Sequence, residues 1–339
     1  MSITIKDIAK LANVSHTTVS RALNNSPLIN EETKIKIKAI ADRLNYVPNY
    51  SAKSLVLDKS YTIGLFFSSI SKGTSPGFFF DTVTGVNSTI EEKYNLVIRG
   101  IDDYKDFTNI NDKRFDGIIL MSQSDNDNPF IYHVVEKGIP LVVLDRELDE
   151  KSLINIISDD KEGTFKAAEH LIKNGHKDIA IIEGKEEFKS TKRRKDGFME
   201  ALIQYNVPVH SEYIIKGNYS MKSGYNAMRE LINLSKSPTA VVCSNDDMAV
   251  GAIKAVFDSG LQVPKDISIV GFDDIAVSEY TTPALTTVKR PIGEISIAGG
   301  KKLIEIMNKE NYKGEKIYIK TEFIARDSVL NLNKNYDIK

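Results

Sequence analysis

Three short apolar runs in this chain each end in side chains suited to a polyhydroxylated ligand. Asp145-Arg146 follows Leu141 to Leu144, Asn245-Asp246 follows Val241-Val242-Cys243, and Asp273-Asp274 follows Ile269-Val270-Gly271-Phe272. A sugar hydroxyl both donates and accepts, so vicinal hydroxyls need paired acceptors beside forked donors, which carboxylates, an amide and a guanidinium supply. Asn and Asp at such turns also cap the next helix, and the residues alone leave both roles open. A second set lies near the N-terminus, where His16, Thr17, Ser20 and Arg21 fall on the outer face of a short helical stretch. All four can hydrogen-bond, and the Arg21 fork matches a guanine edge. Behind them, Ala52-Lys53-Ser54-Leu55 places an apolar side chain in a polar segment too short to hold a helix alone. Leu55 is there either an ordinary linker residue or a wedge for a minor groove.

The elements that must position these residues follow from spacing. Thr4 opens a T-x-x-D capping pattern with Asp7, and Ile5, Ile8, Ala9 and Ala12 form the apolar face of a first helix. Asn13-Val14 is the turn, and Ser15 caps a second helix with Val19 and Leu23 inward. Asn30-Glu31-Glu32 starts a third helix, whose Ile35, Ala39, Ile40 and Leu44 are expected to close the core before Tyr46-Val47-Pro48 ends it. From Tyr61 onward, β-branched runs such as Thr62 to Phe67, Gly117 to Met121, Ile179 to Ile182 and Ile267 to Val270 alternate with amphipathic helical stretches. Continuous apolar runs suit parallel strands covered on both faces, so the body is expected to be α/β with crossover helices. The expected division is a helix-turn-helix head over 1-48, a hinge over 49-60 and a body over 61-339.

Length and charge agree with a small head on a large body. At 339 residues the chain exceeds one ordinary core. Residues 1–60 carry nine Lys/Arg against five Asp/Glu, or +4, and the remainder 36 against 41, or −5. A +4 head is a modest footprint for nucleic acid, and a dimer presenting two heads doubles it. The single Cys243 forbids an intrachain disulfide, and no apolar run approaches a membrane span, so a cytoplasmic protein is expected. His16, His133, His170, His176 and His210 show no metal-ligand spacing. No G-x-S-x-G elbow occurs, and Gly299-Gly300-Lys301 fails as a phosphate loop because Lys302 stands where Ser or Thr is needed. Neither enzyme nor cofactor is expected.

The head pattern Thr4-Ile5-Lys6-Asp7-Ile8-Ala9, Val14-Ser15-His16-Thr17-Thr18-Val19-Ser20-Arg21 and Leu23-Asn24 resembles the LacI/GalR family of bacterial transcription regulators. Gly175 to Ala180, Asn245 to Ala252, Val263 to Asp274 and Thr282 to Val288 match patterns of the same family in order, so the resemblance covers nearly the whole chain. It implies two Rossmann-like subdomains of periplasmic-binding-protein type, roughly 61-158 plus 289-320 and 159-286 plus 321-330, with three crossings between them. It also implies a homodimeric repressor that reads palindromic double-stranded DNA through Thr4, Ser15, His16, Thr17, Ser20, Arg21, Asn24, Ala52, Lys53 and Leu55. A saccharide effector would meet Ser68, Phe78, Phe79, Asp145, Arg146, Arg194, Asn245 and Asp273. Gly77 replaces the usual proline, which leaves open which of Phe78, Phe79 and Phe80 faces the cleft. Similarity to regulators of oligosaccharide operons, the MsmR type among them, implies an α-galactoside inducer. Other family members answer to a purine or a phosphorylated carrier protein. A free sugar-binding protein would have no use for the head, and an enzyme would need a motif that is missing.

Overall fold

The computed structural model describes residues 3–46, 59–71, 74–308 and 312–333. Pro48, Ala52, Lys53 and Leu55 therefore lie outside the described residues. The chain divides into two compact units, Met1–Lys59 and Ser60–Lys339.

The first unit packs three helices, α1 (Ile5–Ala12), α2 (His16–Leu23) and α3 (Glu31–Arg43). The Asp7 carboxylate accepts from the Thr4 backbone N at 2.9 Å and from Thr4 Oγ1 at 2.7 Å, which fixes the start of α1. Asn13 takes a left-handed conformation in the tight turn, and Ser15 Oγ accepts from Thr18 N at 3.0 Å to begin α2. Ile8, Ala12, Val19, Ala22, Ile37 and Ala41 form the core. The third helix thus presents a different face from the expected one. Ile35 is 66% exposed and Ala39 is exposed, while Lys34, Ile37 and Ala41 turn inward and Ile40 and Leu44 pack from the side. At 100° per residue, Ile35 and Ile37 point nearly opposite ways, and Ile37, Ala41 and Leu44 at i, i+4 and i+7 form the stripe that meets α1 and α2.

The second unit holds two parallel sheets. Strands β1 (Thr62–Phe67), β2 (Asn95–Gly100), β3 (Gly117–Met121), β4 (Leu141–Leu144) and β5 (Ile154–Ser158) lie in one lobe. Strands β6 (Ile179–Glu183), β7 (Ile214–Lys216), β8 (Ala240–Cys243) and β9 (Ser268–Val270) lie in the other, with the antiparallel pair β10 (Thr287–Lys289) and β12 (Glu322–Ile324) beside them. Strand β11 (Glu315–Ile319) returns to the first lobe, giving the order β11-β5-β4-β3-β1-β2 against β7-β6-β8-β9. The chain therefore crosses between lobes after β5, after β10 and after β11.

Helices α4 (Pro76–Asn87), α5 (Asn128–Glu136) and α10 (Ile292–Met307) cover the first sheet. Helices α6 (Asp160–Lys173), α7 (Lys189–Gln204), α8 (Met221–Ile232) and α9 (Asp246–Asp258) cover the second. Strands β1, β3, β4, β6 and β8 are buried almost throughout, as parallel strands between helix layers must be. Gly224 and Gly251 let α8 and α9 touch backbone to backbone, since a Cβ on Gly251 would stand 1.9 Å from Met221 O. Cys243 is wholly buried among the apolar side chains of this lobe. No helix among the described residues is long and apolar enough to cross a membrane.

Candidate functional site

In an open parallel sheet the turns beyond the carboxyl ends of the strands converge, and side chains there face a common crevice. Here a cleft of about 650 Å³ is lined by Phe78, Gln123 and Asp145 of the first lobe, by Lys185, Phe188, Arg194, Tyr219, Asn245 and Asp273 of the second, and by Arg290 at a crossing. That volume lies in the range of small-ligand sites.

Asp145 follows β4 in a left-handed conformation, φ 74°. Asn155 on the neighbouring β5 sustains that turn: its Oδ1 accepts from Leu148 N at 2.9 Å and its Nδ2 donates to Val143 O at 3.1 Å and to Arg146 O at 2.7 Å. Asn245 N-caps α9 by accepting from Met248 N at 3.0 Å, and its Nδ2 reaches Tyr219 O at 3.1 Å. It is therefore a cap and a cleft residue at once. Tyr219 and Asp273 also adopt positive φ, 69° and 113°. Non-glycine residues in such regions cost of order 1–3 kcal/mol each and gather at ligand sites. Tyr219 can approach because position 184 is glycine; a Cβ there would sit 2.0 Å from its ring. The ring stacks with Phe188 at 5.8 Å.

Charge is concentrated on the cleft floor. Arg194, in α7, is 2% exposed and donates from Nε to Asp160 Oδ2 at 3.0 Å, from Nη1 to Ser244 O and from Nη2 to Asp273 Oδ1 at 3.5 Å. Its guanidinium lies 3.8 Å from the centre of the Phe272 ring. Arg290 donates from Nη2 to Asp145 and from Nε to Ser158 Oγ at 3.2 Å, and its Nε stands 3.6 Å from Asp160 Oδ1. Burial pushes Asp160 up, but Arg194 and Arg290 outweigh it and hold the carboxyl below its usual range. Burial wins at Asp145 despite Arg290, raising it. At Asp273 burial again wins against both arginines and raises the group to about 6. Beneath the cleft, Asp246 accepts from Ile275 N at 2.9 Å, Ser278 Oγ at 2.8 Å and Thr287 Oγ1 at 2.6 Å. Burial, then the charge of Asp273, pushes Asp246 up to about 7.

Of the effector residues expected from sequence, the structure brings Phe78, Asp145, Arg194, Asn245 and Asp273 together around the cleft. Three others face elsewhere. Ser68 Oγ donates to Asp127 Oδ2 at 2.6 Å and accepts from Gln123 N at 3.0 Å, tying two strand ends together. Arg146 is 1% exposed and points into the first lobe, with Nη1 on Asp125 at 2.7 Å and Nη2 on Asn128 at 2.8 Å, because successive side chains after a strand diverge. Phe79 packs on Phe67 at 5.2 Å, and Phe80 is 66% exposed. Sequence reasoning missed Arg290, Asp160, Gln123, Lys185 and Tyr219. Arg290 follows β10 and Asp160 follows β5, so both stand at strand ends as Asp145 does.

In the first unit, His16, Thr17 and Arg21 are exposed on α2 and Ser20 is partly covered. Ser15 and Asn24 bracket the helix as caps, Asn24 Nδ2 donating to Ser20 O at 2.8 Å. Thr4 is engaged with Asp7. The outer face of α2 is thus left open to solvent while Val19 and Ala22 hold the opposite face to the core.

Comparison with known proteins bears on both units. The family model described as bacterial regulatory proteins, lacI family, matches residues 4–49, and that of a periplasmic binding protein-like domain matches residues 168–329. The probable HTH-type transcriptional repressor ExuR of Bacillus subtilis (strain 168) is 59% identical over 330 residues, covering 97% of this chain and 99% of that protein. The solved Lac repressor dimer bound to operator and the anti-inducer ONPF superposes with a TM-score of 0.82 at 26% identity, over 97% of this chain and all of that one. A complex of the transcriptional regulator CelR with cellobiose gives a TM-score of 0.74 at 27% identity, over 96% and 99%. A helix-turn-helix unit, a two-lobed body and a repressor relative matched along nearly the whole length place this chain in the lacI family of bacterial regulatory proteins, as a DNA-binding transcriptional repressor and not an enzyme.

Proposed function

We propose that this repressor works as a homodimer on a palindromic operator and is released when a saccharide fills the cleft between its lobes. The observation that carries the reading is the donor and acceptor set of the cleft. Asp145, Asn245 and Asp273 offer acceptors, Arg194 and Arg290 offer forked donors, and Phe78, Phe188 and Tyr219 offer ring faces for the apolar side of a sugar. The likeness to a cellobiose-bound regulator supports a sugar. An α-galactoside is the inducer proposed here, and cellobiose is the first competitor to test against it.

The working division is a head at 1-48, a hinge at 49-60, and lobes of 61-158 plus 289-320 and 159-286 plus 321-330. His16, Thr17, Ser20 and Arg21 read base edges, Thr4, Ser15, Asn24, Ala52 and Lys53 hold the backbone and hinge, and Leu55 wedges into the operator centre. The site of action is the cytoplasm, where operator DNA lies.

Arg194→Ala tests the cleft. Loss of charge-assisted hydrogen bonds of about 1.5–3 kcal/mol each should weaken saccharide binding tenfold or more by calorimetry. An unchanged dissociation constant in a folded variant contradicts the assignment.

A further inference from the structure

Arg146 stands next to Asp145 in the chain yet takes no part in lining the cleft. Its side chain is 1% exposed, with Nη1 on Asp125 Oδ1 at 2.7 Å, Nη2 on Asn128 Oδ1 at 2.8 Å and Nε without a partner among the described residues. A buried cation paired this sparsely seldom repays its desolvation, so its use is to hold one geometry. What it holds is half of a contact between the lobes. Asp125 gives Oδ1 to Arg146 and Oδ2 to Lys189 Nζ, 2.7 Å away at the start of α7 in the second lobe. Lys189 first, and then Arg146, keep the Asp125 carboxyl below its usual range, so it stays ionised between them. The two residues before Asp125 touch the same place: Ser124 forms the antiparallel bridge with Phe188, and Gln123 O accepts from Lys189 N at 3.2 Å. Gln123 and Phe188 both line the cleft. On its other side the segment is tied down by Asp127, which accepts from Ser68 Oγ at 2.6 Å and Ser122 Oγ at 2.7 Å.

We propose that Arg146 is a positioning residue for the effector site: by fixing Asp125 it presents the segment Gln123 to Asp125 to the start of α7, and so clasps the two lobes over a bound saccharide. The inference rests on the saccharide reading for its ligand, while the clasp can be observed without one. A ligand beneath Gln123 and Phe188 leaves only when the clasp opens, so the strength of the clasp belongs to the rate of release and not to the rate of association. Lysine cannot substitute for Arg146. It keeps the buried charge, but a single ammonium on a flexible stem lacks the planar fork that holds Asp125 and Asn128 at once.

The test uses the full-length protein and begins with a disulfide trap, Ser124→Cys with Phe188→Cys. Antiparallel partners have Cα atoms about 4.5–5.5 Å apart, within the about 4.4–6.8 Å that a disulfide spans, and the native Cys243 is buried. With no saccharide present the pair should oxidise readily. Adding Arg146→Met, which keeps an unbranched stem without the charge, should slow oxidation fivefold or more, and Arg146→Lys at least threefold. Asp125→Asn, at an exposed position that folding does not depend on, should slow it as Arg146→Met does. Because both residues act through one contact, Arg146→Met with Asp125→Asn should be no more than twofold slower than either alone. Oxidation within twofold of the parent trap in the Arg146 variants, or effects of Arg146 and Asp125 that multiply, would overturn the proposal. With Ser124 and Phe188 intact, stopped-flow release of whichever of melibiose, cellobiose, galactose and ribose the wild type binds best should be threefold or more faster in Arg146→Lys and Asp125→Asn, with association within twofold. Slower association at an unchanged rate of release would also overturn it. If the wild type binds none of the four sugars the saccharide reading fails, and the oxidation rates still decide the clasp.

Discussion

Asp246 shows how one residue can serve the site without entering it. Its carboxylate gathers three donors from the loop after β9 and from β10, and so fixes the backbone from which Asp273 and Arg290 project. Burial raises its folded pKa to about 7, against an ordinary carboxylate near 4. A carboxyl that is more basic when folded favours the native state most fully below the unfolded pKa. That contribution is lost as pH rises from about 4 to about 7, and Asp273, raised to about 6, adds in the same sense. Denaturation midpoints of the body should therefore fall between pH 5 and pH 8, and Asp246→Asn should flatten the fall; an equal slope in the variant would remove Asp246 as the cause. At this scale the strand-end rule was informative but blind to direction. It placed Asp145, Asn245 and Asp273 correctly at the cleft, yet the side chain after Asp145 turns away, so Arg146 serves the lobe interior instead. Arg290 went unread because its strand, Thr287–Lys289, is too short to stand out as an apolar run.

Elements meet across the cleft on its rim as well as on its floor. The start of α7 docks on the first lobe: Ser124 and Phe188 form an antiparallel bridge, and Lys189 N donates to Gln123 O at 3.2 Å. Lys189 Nζ reaches Asp125 at 2.7 Å and Arg193 reaches Glu147 at 3.0 Å. The Lys189–Asp125 pair is about half exposed and is worth roughly 0–1 kcal/mol. Lys189→Ala should thus leave stability nearly unchanged but release saccharide up to about fivefold faster in stopped-flow, as a small bias on lobe opening; an unchanged off-rate would show that the rim does not govern closure. The α/β architecture was legible because parallel strands need unbroken apolar runs, which the sequence displays openly. The third head helix was harder. Its inward face includes Lys34, paired with Glu31 at 2.7 Å, and its outward face includes Ile35, so polarity alone pointed to the wrong stripe.

In the whole molecule the head leaves the hydrogen-bonding side chains of α2 exposed, and the lobes of the body enclose a polar cleft. Joining them requires that a sugar bound in the body alter what the head does on DNA. Couplings of this kind are typically 1–3 kcal/mol, or about five- to 150-fold in affinity. The most direct measurement is fluorescence anisotropy of the full-length protein on an operator obtained by selection from random duplexes, with saccharides added singly. One sugar of the panel should weaken operator binding by at least fivefold in the wild type, and the same sugar should have no effect on Arg194→Ala although that variant binds the operator normally in its absence. Operator affinity unmoved by every saccharide, or moved only by a purine, would contradict that coupling.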